Sequence, residues 1–208
     1  MVNVWGTIKD AFFVVGSLAG ILAWLRPAIE SKHQEDMKRA AAILAKFDEN
    51  GVVELPYFTY NPRQIPGWCL QPFDGVRASI EENRQEVRFI GPLREKLRSE
   101  LELMVHAYDA YREYVQVPEW EPVKDADSGG YNWRFNKTAF REPQGKVSDE
   151  YVRHLDAATH AAELVKLRFQ RFQALTELHF FETFAPGIFA ARKFRAANLQ
   201  LPNENQTA

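Results

Sequence analysis

The chain has 208 residues, 46% of them hydrophobic and 26% charged, proportions that suit one large or two small globular domains and exclude wholesale disorder. Lys and Arg number 26 against 28 Asp and Glu, a net charge of -2, so no overall basic field is present to bind nucleic acid generally. A single cysteine, Cys69, excludes an internal disulfide and any multi-cysteine zinc site.

Near the amino terminus, Ala11 to Leu25 (AFFVVGSLAGILAWL) is a run of fifteen residues without a charge. As a helix it reaches roughly 22 Å, short of the roughly 30 Å hydrocarbon core. Its flanks extend it: Val4, Trp5 and Ile8 precede it, Lys9 is long enough to snorkel, and Trp5 and Trp24 stand near its two ends. Two other readings compete. A buried core helix needs a polar stripe or complete enclosure, and the run offers only Ser17. A signal peptide needs a positive start and a small-residue cleavage site, whereas Asp10 cancels Lys9 and Arg26-Pro27 follows. The run is therefore expected to be a transmembrane anchor. Arg26, Lys32, Lys38 and Arg39 after it outnumber Lys9 before it, which places the amino terminus outside and the remainder in the cytoplasm. Gly16 and Gly20 form a GxxxG pair, with Ala19 and Ala23 a second small pair. This face predicts close association with another copy of the helix.

Beyond Pro27, Ile29, His33, Met37, Ala40, Leu44 and Phe47 recur at helical spacing, and Asn50-Gly51 is expected to stop that helix. Pro27 either starts it or kinks a continuous one. Prolines 56, 62, 66 and 72 are expected to exclude a long helix between 52 and 75, with a short strand around Val53, Leu55 and Tyr57. A polar helix is expected from Val76 to Phe89, broken by Gly91-Pro92. Leu93, Leu97, Leu101, Met104, Tyr108, Tyr111 and Val115 then mark a helix with one packed seam.

The segment from 117 to 147 is irregular, with an alternating stretch at Tyr131, Trp133 and Phe135 expected to pair with residues 52 to 58. Ser148 is a good N-cap for a helix carrying Tyr151, Leu155, Ala158, Ala162, Val165, Phe169 and Phe172, predicted to reach Phe184, roughly 50 Å. Pro186-Gly187 ends it. The dense apolar group Leu178, Phe180, Phe181, Phe184, Ile188 and Phe189 exceeds one stripe. It reads either as enclosure by the bundle or as aromatics returning to the membrane interface, with Arg192, Lys193 and Arg195 on phosphates.

For chemistry the signals are few. The pairs His160/Glu163 and His179/Glu182 lie on one expected helix, roughly 28 Å apart, too far to share a metal, and no metal or cofactor is expected. Cys69 has no CxxC partner, and no P-loop, dinucleotide fingerprint or G-x-S-x-G occurs. Arg153 and His160 stand seven apart among alanines, an arginine to hold phosphate and a histidine to move a proton. This pattern resembles the R-x(4–6)-H motif of HEPN ribonucleases, helical bundles that pair such motifs across a dimer. The resemblance covers two residues and the helical setting, with six intervening positions, and assigns no family. What it implies is RNA cleavage by Arg153 and His160. Against it stands a shared polar strip, Arg153, Asp156, His160 and Glu163, of the kind that solvates a helix.

The expected architecture is thus mainly α: an anchor at 1–27, a cytoplasmic antiparallel helical bundle at 28–199 with irregular, short-stranded insertions, and a disordered tail at 200–208. The expected role is a single-pass, inner-membrane interaction or effector protein, contacting membrane lipid, its own copies and a protein partner that the sequence does not identify. A ribonuclease acting on RNA, or a soluble helical protein with a buried first helix, are the alternatives.

Overall fold

The computed structural model describes residues 4–60, 64–115, 120–124, 131–136 and 148–199, with the backbone alone for 4–19, 21, 22 and 184. Seven α-helices and one small sheet are found among these residues. Helix α1 runs unbroken from Val4 to Leu44 with Pro27 inside it, so the proline neither starts nor stops the helix. The carbonyl that its missing N–H would have used belongs to Ala23, on an exposed turn.

From residue 29 onward α1 shows the expected face: His33 and Ala40 are buried, joined by Asp36 and Ile43, with Phe47 buried just past the helix end. It ends at Leu44, earlier than Asn50-Gly51. Gly51 instead lies in the short helix α2 (Glu49–Val53), whose first turn is capped by the Asp48 carboxylate accepting from the Gly51 N–H at 3.0 Å. A Cβ on Gly51 would stand 2.2 Å from the Trp68 ring, so this glycine exists for close packing rather than helix termination.

The proline-rich stretch also departs from expectation. Helix α3 (Leu55–Tyr60) occupies the place of the expected strand, and α4 spans Gly67–Glu81, starting nine residues earlier than Val76. Pro56 lies in the first turn of α3 and Pro66 is the N-cap of α4, positions where a missing N–H breaks no helical bond. Pro72 lies inside α4. Asn83, with φ of 50°, turns the chain after α4 into a 3-10 turn at Gln85–Val87.

Helix α5 (Arg94–Val115) buries every seam residue the sequence marks, from Leu97 to Val115. Helix α6 (Asp149–Thr176) begins at the Ser148 cap, whose hydroxyl accepts from the Tyr151 N–H at 3.3 Å. It stops at Thr176, well before Phe184. Phe180–Phe184 forms a separate 3-10 turn, in which the Glu182 carboxylate accepts from the His179 N–H at 2.8 Å. Helix α7 (Pro186–Ala196) follows.

Helices α5 and α6 pack antiparallel. Glu100 near the start of α5 pairs with Arg168 and Arg171 late in α6, at 3.1 and 3.0 Å, while the Tyr114 ring near the end of α5 lies 6.0 Å from His154 near the start of α6. Helix α1 also runs antiparallel to α6, with Phe47 5.4 Å from Phe169 and His33 6.0 Å from Phe180 just past the end of α6. The core centres on Phe73, which stacks on Tyr108 at 4.7 Å and meets the edge of Phe47 at 4.8 Å.

The sheet is antiparallel, ordered β1-β3-β2, with β1 Gln64–Ile65, β2 Trp120–Lys124 and β3 Tyr131–Phe135. The strand at 131–135 is as expected, but its partners are residues 120–124, in register Trp120 to Phe135, and 64–65, not 52–58. Pro122 is accommodated because β2 is an edge strand. The expected tail at 200–208 lies outside the described residues.

Candidate functional site

The end of the molecule from which α1 emerges is unlike the rest. Every residue from Ala23 to Ala28 is exposed, Trp24 at 79%, and a Cβ on Gly20 would meet nothing within 4 Å. Of the expected association face, Gly20 and Ala23 are therefore bare, and the surroundings of Gly16 lie outside the described residues. Among the described residues no helix is long and apolar enough to cross a membrane, so the transmembrane element of the expected fold gains no support there. The side chains of the uncharged run up to residue 19 are outside that description.

Just below the bare stretch, polar groups fasten α1 to the body. Asp36 is fully buried and accepts the N–H groups of Ile90 and Gly91 at 2.7 Å each. The sharp turn at Gly91 brings this loop so close that a Cβ there would stand 2.9 Å from the Lys32 carbonyl oxygen. Burial pushes the Asp36 carboxyl above its ordinary value, against the two N–H donors and Arg39, which pull it down. His33, one turn earlier, is pushed below the ordinary imidazole value by burial, with Asp36, Glu30 and the main chain of Leu178 acting the other way. It is therefore a neutral ring in this joint. Arg39 donates to the Arg88 carbonyl, and Lys46 pairs with Glu86 at 2.8 Å.

Around the exit, Arg26 lies over the Phe181 ring at 5.2 Å. Phe181 is 65% exposed and Ile188, in the first turn of α7, is 71% exposed. Their sequence neighbours Leu178, Phe180 and Thr183 are buried. Enclosure thus accounts for Leu178 and Phe180 and leaves Phe181 and Ile188 out.

Arg153 and His160 both point outward from α6 and are exposed. His160 lines a shallow cavity with Glu163, whose carboxylate pairs with Lys166 at 3.3 Å, and Arg153 does not line it. The two are not brought together within the chain. His179 and Glu182 belong to the 3-10 turn, apart from His160 and Glu163. Cys69 is buried and its thiol is pushed up to about 12, chiefly by burial, which keeps it protonated and unreactive.

One feature escaped the sequence reading. A cavity of about 190 Å³ lies under β3, walled by Tyr108, Tyr111, Tyr131 and Trp133, with Asp74 and Arg112 at its edge. Its polar groups are engaged with one another: Asp74 receives Arg112 at 2.8 Å and Arg77 at 3.3 Å, and the Tyr111 and Thr59 hydroxyls bond at 2.8 Å. That arrangement serves the α4–α5 contact. Its only sequence trace is the phase of Tyr131 and Trp133 on one strand face.

Compared with known proteins, the chain matches no family model, no curated protein and no solved structure.

Proposed function

We propose that the chain is a membrane-anchored helical module, an interaction or effector protein rather than an enzyme. In this reading the uncharged end of α1 enters the lipid, the amino terminus faces outward, and the bundle stands in the cytoplasm. One observation carries the reading: α1 continues past the body with every residue from Ala23 to Ala28 exposed, where the apolar run ends. The run holds eight residues of the Leu, Ile, Phe and Val class, which together favour insertion by roughly 2–5 kcal/mol. Its length falls short of the hydrocarbon thickness, and local thinning with snorkelling of Lys9 and Arg26 closes that gap. The bare Gly20 and Ala23 supply a face for a second copy of the helix.

Sedimentation with carbonate-washed membranes tests the anchor. The full chain is expected in the pellet, and a chain lacking residues 1–26 in the supernatant as a folded body. A full-length chain that is monodisperse in water without detergent overturns the proposal. Replacing Gly16 and Gly20 together with Ile is expected to weaken self-association while leaving the chain in the membrane.

A further inference from the structure

We propose that the end of the body around the α1 exit is a membrane seat: Phe181 and Ile188 dip into the headgroup region of an anionic bilayer, with Arg26 and Arg192 on its phosphates. This rests on the anchor reading and adds to it the partner of a surface that an anchor alone leaves in water.

Arg26 directly follows the last residue of the uncharged run, and its guanidinium stands 5.2 Å from the Phe181 ring. Phe181 is therefore tied to the level of the residue that must leave the hydrocarbon. An aromatic ring at that level sits where such rings partition best, with a cation over its face for the phosphates.

The second argument is that the exposure is selective. Phe180 is folded inward against His33, and Thr183 is held down by its hydroxyl donating to the Phe180 carbonyl at 2.5 Å. The intervening Phe181 is left outside at 65% exposure. A single exposed apolar residue needs no explanation. Here Trp24, Phe181 and Ile188, on three different elements, are all exposed at 65% or more.

Charge supplies the third. On α7, Arg192 follows Ile188 by one turn on the same face, about 6 Å along the axis. Lys193 is engaged by Glu177 at 2.9 Å, whereas Arg192, Arg195 and Lys32 have no ion pair among the described residues. Arg26 pairs with Glu30 at 3.7 Å and stays more than half exposed; exposed cations on one helix face with an exposed apolar side chain match an anionic lipid surface, not another apolar protein face.

An environment-sensitive fluorophore on single introduced cysteines tests this in the full chain. Cys69 is buried and leaves the introduced thiol as the reactive one. The positions are Phe181→Cys, Ile188→Cys, Ser17→Cys within the run, and Glu113→Cys at the opposite end of α5. The chain is placed in vesicles of phosphatidylcholine and phosphatidylglycerol. Expected are a blue shift and severalfold stronger quenching by headgroup-labelled lipid at 181 and 188 than at 113. Labels at 181 and 188 as water-exposed as at 113, with 17 protected, overturn the seat while the anchor stands. A water-exposed label at 17 overturns the anchor, and the seat with it. Both 181 and 188 are already exposed, so their replacement leaves folding intact.

Discussion

The two halves of α1 are one continuous helix in two different situations. From His33 to Ile43 the inward positions are buried at helical spacing, and two of them, His33 and Asp36, are polar. From Ala23 to Ala28 every residue is exposed, Trp24 at 79%, and the body reaches this stretch through the Phe181 ring under Arg26. Helical propensity does not set the boundary of the helix, since the upper half carries Gly6, Gly16, Gly20 and Pro27 and is helical all the same. What distinguishes the halves is what covers them. The lower half is held by the loop at 88–91, and a helix fixed at one end projects its other end in a defined direction. Polar fasteners suit that task better than apolar contacts, because hydrogen bonds to Asp36 have one geometry while apolar faces slide.

The largest effect is expected from breaking that joint. Asp36→Ala leaves the part-buried N–H of Ile90 and the buried N–H of Gly91 without their acceptors. At roughly 2 kcal/mol for each, the loss is about 4 kcal/mol, or about 10 °C in melting temperature by calorimetry of the body. Gly91→Ala comes next. Its Cβ would stand 2.7 Å from an Asp36 carboxylate oxygen and 2.9 Å from the Lys32 carbonyl, a backbone group that cannot swing away. Overpacking of that kind costs about 2 kcal/mol, readable as a lower urea midpoint. If both variants melt like the parent, the halves of α1 do not differ in the way described.

Much of this fold was legible. The α5 seam from Leu93 to Val115, the Ser148 cap and the lower face of α1 each follow from spacing, because one apolar stripe per 3.6 residues has one physical cause. The proline argument failed because proline breaks a helix by position. At 56 and 66 it falls where helices begin, and a count of prolines cannot show that. Strand β1 is two residues long, too short for any alternation, so this one of the two partners of β3 was invisible. The end of α6 was missed because the apolar density continues past Thr176, and the reciprocal hydrogen bonds of His179 and Glu182 begin a new turn inside it. At the candidate site, the run and its flanks were readable from the sequence. The partition of Phe180 inward and Phe181 outward was not, since adjacent identical residues carry no phase.

Two smaller effects sharpen the contrast. Burial holds His33 below its ordinary value of 6.5, so the folded chain keeps it neutral where the unfolded chain would take up a proton. The unfolded state then binds more protons as pH falls below 6.5, and stability contributed by this residue is present above that value and lost beneath it. Asp36 has the opposite sign: its raised value makes the folded state the better proton acceptor, so its own contribution grows as pH falls toward and below 3.8 and is lost as pH rises. Denaturation midpoints measured from pH 8 down to pH 5 are expected to fall, and His33→Gln is expected to flatten that slope. At the other end of the helix, Trp24→Ser is expected to change folding stability by less than about 0.5 kcal/mol, because the side chain is 79% exposed. The same substitution is expected to reduce retention in membranes, since an interfacial ring is then replaced by a hydroxyl at the hydrocarbon edge. A variant at 24 that destabilises the body as much as one at 36 would mean that the bare half of α1 is packed after all, and the division of the helix into a fastened half and a projecting half would fail with it.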